Sequence, residues 1–214
     1  PQQHQPQQQR PQPPVPPAKS KRKPLLIGAG ALVLVAVVVA AVLFATNGSK
    51  SPPANAAGAN GAAVDKASCE QVGKKDEQGF TDCLRQLAGP VAQKATCQGA
   101  AISAQTIGAV VAVSCQFKSE ARGATRAVTY YQGISSDSLA VGVKLQLGDN
   151  PEEGTWAGGG LTGKYLAGVG SAAGIVLFGV DDRQLCGMLV SVDLGGKQQL
   201  PELVKFFTEQ LKPA

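Results

Sequence analysis

The stretches IGAVVAVSCQF (residues 107–117) and RAVTYYQ (residues 126–132) are rich in β-branched and aromatic residues. Such residues favour extended strands because they pack well on a pleated, half-buried surface. The turn-prone segment SEARGAT separates the two stretches. Together they predict an antiparallel β-hairpin, and the other elements are placed around it.

C-terminal to this hairpin, the same residue types between turn signals predict three further strands. These strands cover residues 164–169, 174–180 and 184–193. Between the hairpin and these strands, residues 135–137 offer N-cap side chains for a helix to about Leu147, and a polar, glycine-rich loop follows. An amphipathic helix from about Leu200 to Leu211 is predicted to follow the last strand.

On the N-terminal side of the hairpin, a helical subregion is predicted. Ser68 can cap a helix that opens at Cys69. Further along, a set of apolar residues recurs at helical spacing, and this pattern ends before Gly89 and Pro90. This set contains Phe80, Cys83, Leu84 and Leu87. The element order predicts an α+β domain with an antiparallel sheet of about five strands packed on helices.

Residues 25–45 (LLIGAGALVLVAVVVAAVLFA) carry no charge and no proline. Such a run matches the roughly 20 residues that a helix needs to cross the hydrocarbon core, so we expect a transmembrane helix in contact with the lipid bilayer. This helix divides the chain into four parts. Residues 1–24 form a disordered Pro/Gln-rich tail with a basic stop, residues 46–63 a flexible linker, and residues 64–214 the folded domain.

The orientation follows from the basic cluster at residues 19–23 (KSKRK), since only Lys50 lies close to the other end of the apolar run. The positive-inside rule places the tail in the cytoplasm and the domain outside the cell membrane. A cleaved signal peptide with a site at residues 54–56 (ANA) is the alternative, but the length of the apolar run favours an uncleaved anchor. Small residues in the run could also let two such helices form a weak homodimer.

The net charge of +5 is concentrated in the tail. Of the 20 Lys and Arg residues, five lie in residues 1–24 and one is Lys50, which leaves 14 against 15 acidic residues in the domain. A nearly neutral domain without a cationic stripe gives no reason to expect nucleic-acid binding.

All five cysteines lie in the domain. Export favours disulfides, and with one thiol left free fifteen pairings are open. We favour Cys97 with Cys115, which ties the segment before the first strand to that strand, and Cys69 with Cys83 in the helical subregion. Cys186 is then expected to be a buried free thiol in an apolar strand.

The domain offers little for catalysis, because the only histidine, His4, lies in the tail. The absence of histidine from the domain excludes Ser-His-Asp and Cys-His catalytic arrangements there, and also zinc sites that use histidine. Ser136 and Lys144 are eight residues apart, which is too distant for direct contact on a helix. The loop carboxylates lack the spacing of a glycoside-hydrolase pair or a calcium site. They are Asp149, Glu152, Glu153, Asp181 and Asp182. We therefore expect no enzyme activity, no metal and no cofactor.

Residues 158–165 (GGGLTGKY) resemble the phosphate-binding pattern G-x-x-x-x-G-K-[ST], but Tyr165 replaces the hydroxyl residue and a strand follows. A loop is the preferred interpretation. Trp156 stands beside it, and Trp156 with Tyr165 could form the wall of a ligand groove. Alternatively, Trp156 caps the core.

Several features occur together in this chain: the Pro-rich tail, KSKRK, the apolar run, Cys97 with Cys115, Trp156, GIVLFGVDD (residues 174–182) and the terminal KFFTEQL. This organisation resembles membrane-anchored proteins of high-GC Gram-positive bacteria, including the region that follows the kinase domain in receptor-type serine/threonine kinases. The resemblance implies a juxtamembrane linker, one span and an exported α+β domain. It implies no kinase activity, because the chain has no kinase motif.

These observations predict a single-pass protein whose outer domain binds or senses an extracytoplasmic ligand or protein. One alternative is a structural or assembly partner in the cell envelope. Another is a hydrolase that uses only carboxylates or a Ser-Lys pair. A sensor predicts a longer reading frame upstream of Pro1.

Overall fold

The computed structural model describes residues 65–117, 124–170, 173–193 and 200–213. The predictions for residues 1–24, 25–45 and 46–63 lie outside the described residues. Among the residues that are described, no helix combines the length and the apolar character needed to cross a membrane.

A seven-stranded antiparallel sheet forms the centre of the domain, in the order β1-β2-β3-β7-β6-β5-β4. The strands are β1 (Thr96–Gly99), β2 (Val111–Gln116), β3 (Ala124–Gln132), β4 (Glu152–Gly158), β5 (Leu161–Val169), β6 (Gly174–Val180) and β7 (Leu185–Asp193). The predicted α+β class with an antiparallel sheet is confirmed. The expected number of about five strands is wrong, because β1 and β4 add one strand at each edge.

Six short helices accompany the sheet in the described residues. They are α1 (Lys66–Cys69), α2 (Asp82–Ala88), α3 (Val91–Lys94), α4 (Ala101–Ile107), α5 (Ser136–Val143) and α6 (Leu200–Phe206). A 3-10 turn (Lys144–Gln146) extends α5, and a π-helical turn (Phe207–Leu211) extends α6.

Two predicted element starts are wrong. The strand expected from Ile107 begins at Val111, because residues 101–107 form α4 and Gly108 ends that helix in the left-handed conformation (φ 76°). Ser68 does not cap a helix that opens at Cys69, since α1 ends there. Thr81 is the N-cap of α2, and its hydroxyl accepts a hydrogen bond from the Leu84 N–H at 3.2 Å.

The prediction of a glycine-rich loop before residue 164 is also wrong, since β4 and β5 form a hairpin in that segment. Its two-residue turn consists of Gly159 and Gly160, with φ of 57° and 73°. Positive φ at both central residues matches the twist of the flanking strands and favours glycine. The resemblance of this segment to a phosphate loop is therefore explained by a hairpin turn.

The sheet is covered on two sides, which we call face A and face B. Face A carries the larger apolar cluster, to which α2, α3 and α6 contribute together with Tyr130 and Phe178 from the strands. Face B carries a smaller cluster under α4 and α5, including Leu139 and Leu177. Side chains alternate between the faces along each strand.

The structure contains both disulfides favoured from the sequence. Cys69 is joined to Cys83, which links α1 to α2. Cys97 is joined to Cys115, and these two residues lie opposite each other on β1 and β2. The remaining thiol, Cys186, is free and buried.

Gln132 connects the helical subregion to the centre of the sheet. Its side chain is 2% exposed. Its Oε1 accepts a hydrogen bond from the Thr81 hydroxyl at 2.6 Å, and its Nε2 donates to the carbonyl oxygens of Cys69 at 2.8 Å and Gln71 at 3.2 Å. Buried polar groups of this kind lose stability when their partners are removed.

We expect Gln132→Leu to lower the free energy of unfolding by about 2 kcal/mol, because it leaves buried hydrogen-bonding groups without partners. Denaturant titration followed by Trp156 fluorescence measures this, since Trp156 is the only tryptophan of the chain. Gln98→Leu is the matched control on an exposed position of β1 and should change stability by less than about 0.5 kcal/mol. Equal effects of the two substitutions would contradict the role given to Gln132.

Candidate ligand groove

A groove of about 430 Å³ opens on face B between α5 and the β4–β5 hairpin. Ligand pockets commonly have volumes of this order. The lining residues are Ser136, Asp137, Ala140, Glu153, Gly154, Thr155, Lys164, Tyr165, Leu166 and Leu177.

Helix α5 forms one wall, and local packing fixes its position. The Ser135 hydroxyl caps the helix by accepting a hydrogen bond from the Ser138 N–H at 3.2 Å. Leu139 and Val143 are buried against face B. Gly179 on β6 allows the start of α5 to come close to the sheet, since a Cβ atom there would lie 2.2 Å from Ser136 Oγ.

The floor of the groove is apolar. Leu177 is 1% exposed, and Leu166 lies opposite it on the neighbouring strand. Ala140 on α5 borders this floor. An apolar portion of a ligand could therefore be removed from water here.

The rim of the groove carries charge. Asp137 comes from α5, Glu153 from β4 and Lys164 from β5, and all three are exposed. Ser136 and Thr155 also line the groove. Two carboxylates and one ammonium group favour a ligand with an amino group beside its apolar part.

Trp156 and Tyr165, which the sequence suggested for a ligand loop, belong to strands whose side chains at these positions contribute to face A. Trp156 is 5% exposed, packs edge-on against Phe178, and donates from Nε1 to the Lys164 carbonyl at 3.3 Å. The ring of Tyr165 packs on Phe207, and its hydroxyl donates to Glu152 at 3.0 Å. Trp156 therefore fills the core, which was the alternative considered from the sequence.

The other polar candidates are not assembled into one site. The Thr162 hydroxyl donates a hydrogen bond to the Asp181 carboxylate at 2.9 Å, at the turn between β6 and β7. Neither residue lines the groove. Ser136 lines the groove, whereas Lys144 does not. Within the described ranges, no group of three or more His, Cys, Asp or Glu side chains could hold a metal ion.

The groove was not predicted from the sequence, because the segment that forms β4 was expected to be a loop. The signal available was the Gly159-Gly160 pair, a dipeptide typical of a two-residue hairpin turn. Once that hairpin is recognised, Glu153, Thr155 and Lys164 fall on one face.

Comparison of the chain with protein-family models, curated proteins and solved structures finds no match. Function is therefore inferred from the groove and its surroundings.

Cys186 lies on β7 among the apolar residues of face B. Its thiol donates to the carbonyl oxygen of Ile134 at 3.5 Å. Burial raises the pKa of the Cys186 thiol from about 9 to about 12. The thiol is therefore protonated at neutral pH and serves packing, since the thiolate is the reactive form.

The raised pKa predicts how Cys186 affects stability at alkaline pH. Above pH 9 the unfolded thiol loses its proton while the folded thiol keeps it until about pH 12, so stability falls as pH rises. Between pH 7.5 and pH 10, the free energy of unfolding should fall by roughly 1.4 kcal/mol more in the natural chain than in Cys186→Ala. Denaturant titrations of both proteins at both pH values measure this difference. Parallel pH profiles would show that the thiol is not buried as described.

Proposed function

We propose that this chain is a single-pass membrane protein whose outer domain binds or senses a ligand through the groove between α5 and the β4–β5 hairpin. The observation that carries the proposal is the groove itself, which combines an apolar floor with a rim of two carboxylates and one ammonium group. A domain of this kind needs no catalytic group. Recognition requires only that these side chains are held in place by the sheet and by α5.

The two disulfides support an extracytoplasmic location, because disulfides persist in oxidising compartments and are rare in the cytosol. The apolar residues 25–45, preceded by KSKRK, support an anchor with its N-terminus in the cytoplasm. The resemblance to the post-kinase region of receptor-type kinases is consistent with a sensor. Binding outside the membrane would then be coupled to a cytoplasmic response.

The proposed topology is tested by a pair of matched substitutions, Gln3→Cys in the tail and Gln105→Cys on an exposed position of α4. The five natural cysteines are in disulfides or buried, so the introduced thiol is the accessible one. A membrane-impermeant maleimide should label Gln105→Cys in intact cells and label Gln3→Cys only after permeabilisation. Labelling of Gln3→Cys alone in intact cells would reverse the topology and overturn this part of the proposal.

The groove is tested by adding bulk to α5. Ala140→Trp should fill the groove, whereas Val141→Trp adds the same side chain at a position that is 80% exposed. Thermal-shift measurements with a panel of amino sugars, amphiphilic amines and lysine-containing dipeptides should find binding to the natural protein and to Val141→Trp. This binding should be at least roughly tenfold weaker in Ala140→Trp, a change of about 1.4 kcal/mol. Binding unaffected by Ala140→Trp, or no binding by any panel member, would contradict the assignment.

A structural or assembly role in the cell envelope is the second candidate. It is favoured by one observation: β4 stands at the end of the sheet, and within the described ranges no strand pairs with its outer side.

A further inference from the structure

Strand β4 is the outermost strand on its side of the sheet, and among the described residues it pairs only with β5. It is seven residues long, whereas β1 at the opposite edge has four. An edge strand presents main-chain N–H and C=O groups that can pair with another chain. The outer side of β4 is therefore a candidate interaction surface.

The register of the sheet shows which residues of β4 present these groups. The Asp181 N–H donates to the Thr162 carbonyl at 2.9 Å, so the main-chain groups of Thr162 and Lys164 point towards β6. In an antiparallel ladder the direction alternates from residue to residue. Gly163 therefore points towards β4 and bonds to its partner Trp156.

The same alternation directs the main-chain groups of Glu153, Thr155 and Ala157 outward. All three residues are exposed. Beyond them the Gly159 carbonyl is already occupied, since it accepts a hydrogen bond from Gln86 Nε2 at 3.1 Å. The free stretch thus extends from Glu153 to Ala157.

We propose that β4 pairs with β4 of a second copy of this chain, antiparallel, about a twofold axis at Thr155. This register places Thr155 opposite Thr155 of the other copy and Glu153 opposite Ala157. Each outward residue then meets an outward residue, which allows about six main-chain hydrogen bonds. A shift of the axis to Gly154 or Trp156 would leave one outward residue of each copy without a partner.

Side-chain charge agrees with this register. Like charges directly opposite each other destabilise a strand pair. Here Glu153 faces Ala157, and Glu152 faces Gly158, so the acidic ends of the two strands lie at opposite ends of the pair. At the centre, two threonines lie side by side, a favourable cross-strand pair. A second copy therefore pairs with β4 without opposing like charges, whereas an extended peptide with acidic residues opposite Glu152 or Glu153 would be repelled.

Pairing would join the two ligand grooves. A twofold axis perpendicular to the sheet keeps face B of both copies on the same side, and Glu153 and Thr155 belong both to β4 and to the groove lining. The floor would run through β5, β4 and their two counterparts, with the two β5 strands about 14 Å apart. One α5 helix would stand on each side of this trough. The composite site rests on the proposed function, whereas the strand pairing does not.

The proposed anchor would favour this association. Two copies in one membrane have a higher effective concentration than free domains, which strengthens a contact formed mainly by main-chain hydrogen bonds.

The experiment uses the full chain in native membranes, with two differently tagged copies expressed together. One copy carries Glu153→Cys and the other Ala157→Cys, and mild oxidation is followed by gel analysis without reductant. Opposed residues of the proposed pair have Cα atoms about 5.5 Å apart, within the range of a disulfide. Two Glu153→Cys copies would have their thiols about 13 Å apart along the strands. We expect at least roughly tenfold more cross-linked product for the mixed pair than for two Glu153→Cys copies.

Thr162→Cys provides a control on an exposed position of the neighbouring strand β5 and should give no more product than two Glu153→Cys copies. Thr155→Pro, added to both copies of the mixed pair, removes an outward N–H that the folded monomer does not use, so the fold should persist while cross-linking is lost. Thr155→Val keeps the N–H and should keep the product. Trp156 fluorescence reports folding of each variant.

Equal cross-linking at all positions, or a mixed-pair product unaffected by Thr155→Pro in a folded protein, would overturn the pairing. The comparison of registers remains decisive if Thr155→Pro does not fold. If Thr155→Pro abolishes cross-linking but ligand binding is retained, the composite trough is overturned and each copy binds through its own groove.

Discussion

Strand β6 is buried on both of its faces, and this burial determines how the helices are arranged on the sheet. All seven residues of Gly174–Val180 are buried. Phe178 belongs to the face A cluster and Leu177 to the face B cluster. An antiparallel sheet can leave one face in water, but a central strand that is apolar on both sides needs cover on both. Helices α6 and α5 provide that cover, and because α5 lies over β6 and β7, part of face B above β4 and β5 stays open as the groove.

The helical subregion is held by specific links rather than by a large core of its own. The disulfide between Cys69 and Cys83 joins two helices too short to be stable alone, and Gln132 binds the same segment from the centre of the sheet. The second disulfide secures β1, a four-residue strand in which only Cys97 is buried. A domain secured in this way can hold exposed recognition groups at fixed positions, and this is what the proposed binding function requires.

The sequence predicted the elements whose side chains are buried in a regular pattern. The bounds of β6 were predicted correctly, because GIVLFGV is apolar throughout and lies between turns. The edge strand β4 was taken for a loop, because EEGTWAG exposes most of its residues and contains two glycines. The position of α5 depends on Gly179, whose importance is visible only when a Cβ atom is placed beside Ser136. The Gly159-Gly160 pair signals the hairpin locally, but the closure of the groove by α5 is a consequence of tertiary packing.

We propose that this domain folds in an oxidising compartment around two defined disulfides and presents the groove there. Peptide mapping of the full chain, alkylated in intact cells and isolated without reductant, is the decisive experiment. We expect linked peptides for Cys69 with Cys83 and for Cys97 with Cys115, and a Cys186 that is alkylated only after denaturation. Five reduced cysteines, or a different pairing, would contradict both the proposed location and the fold.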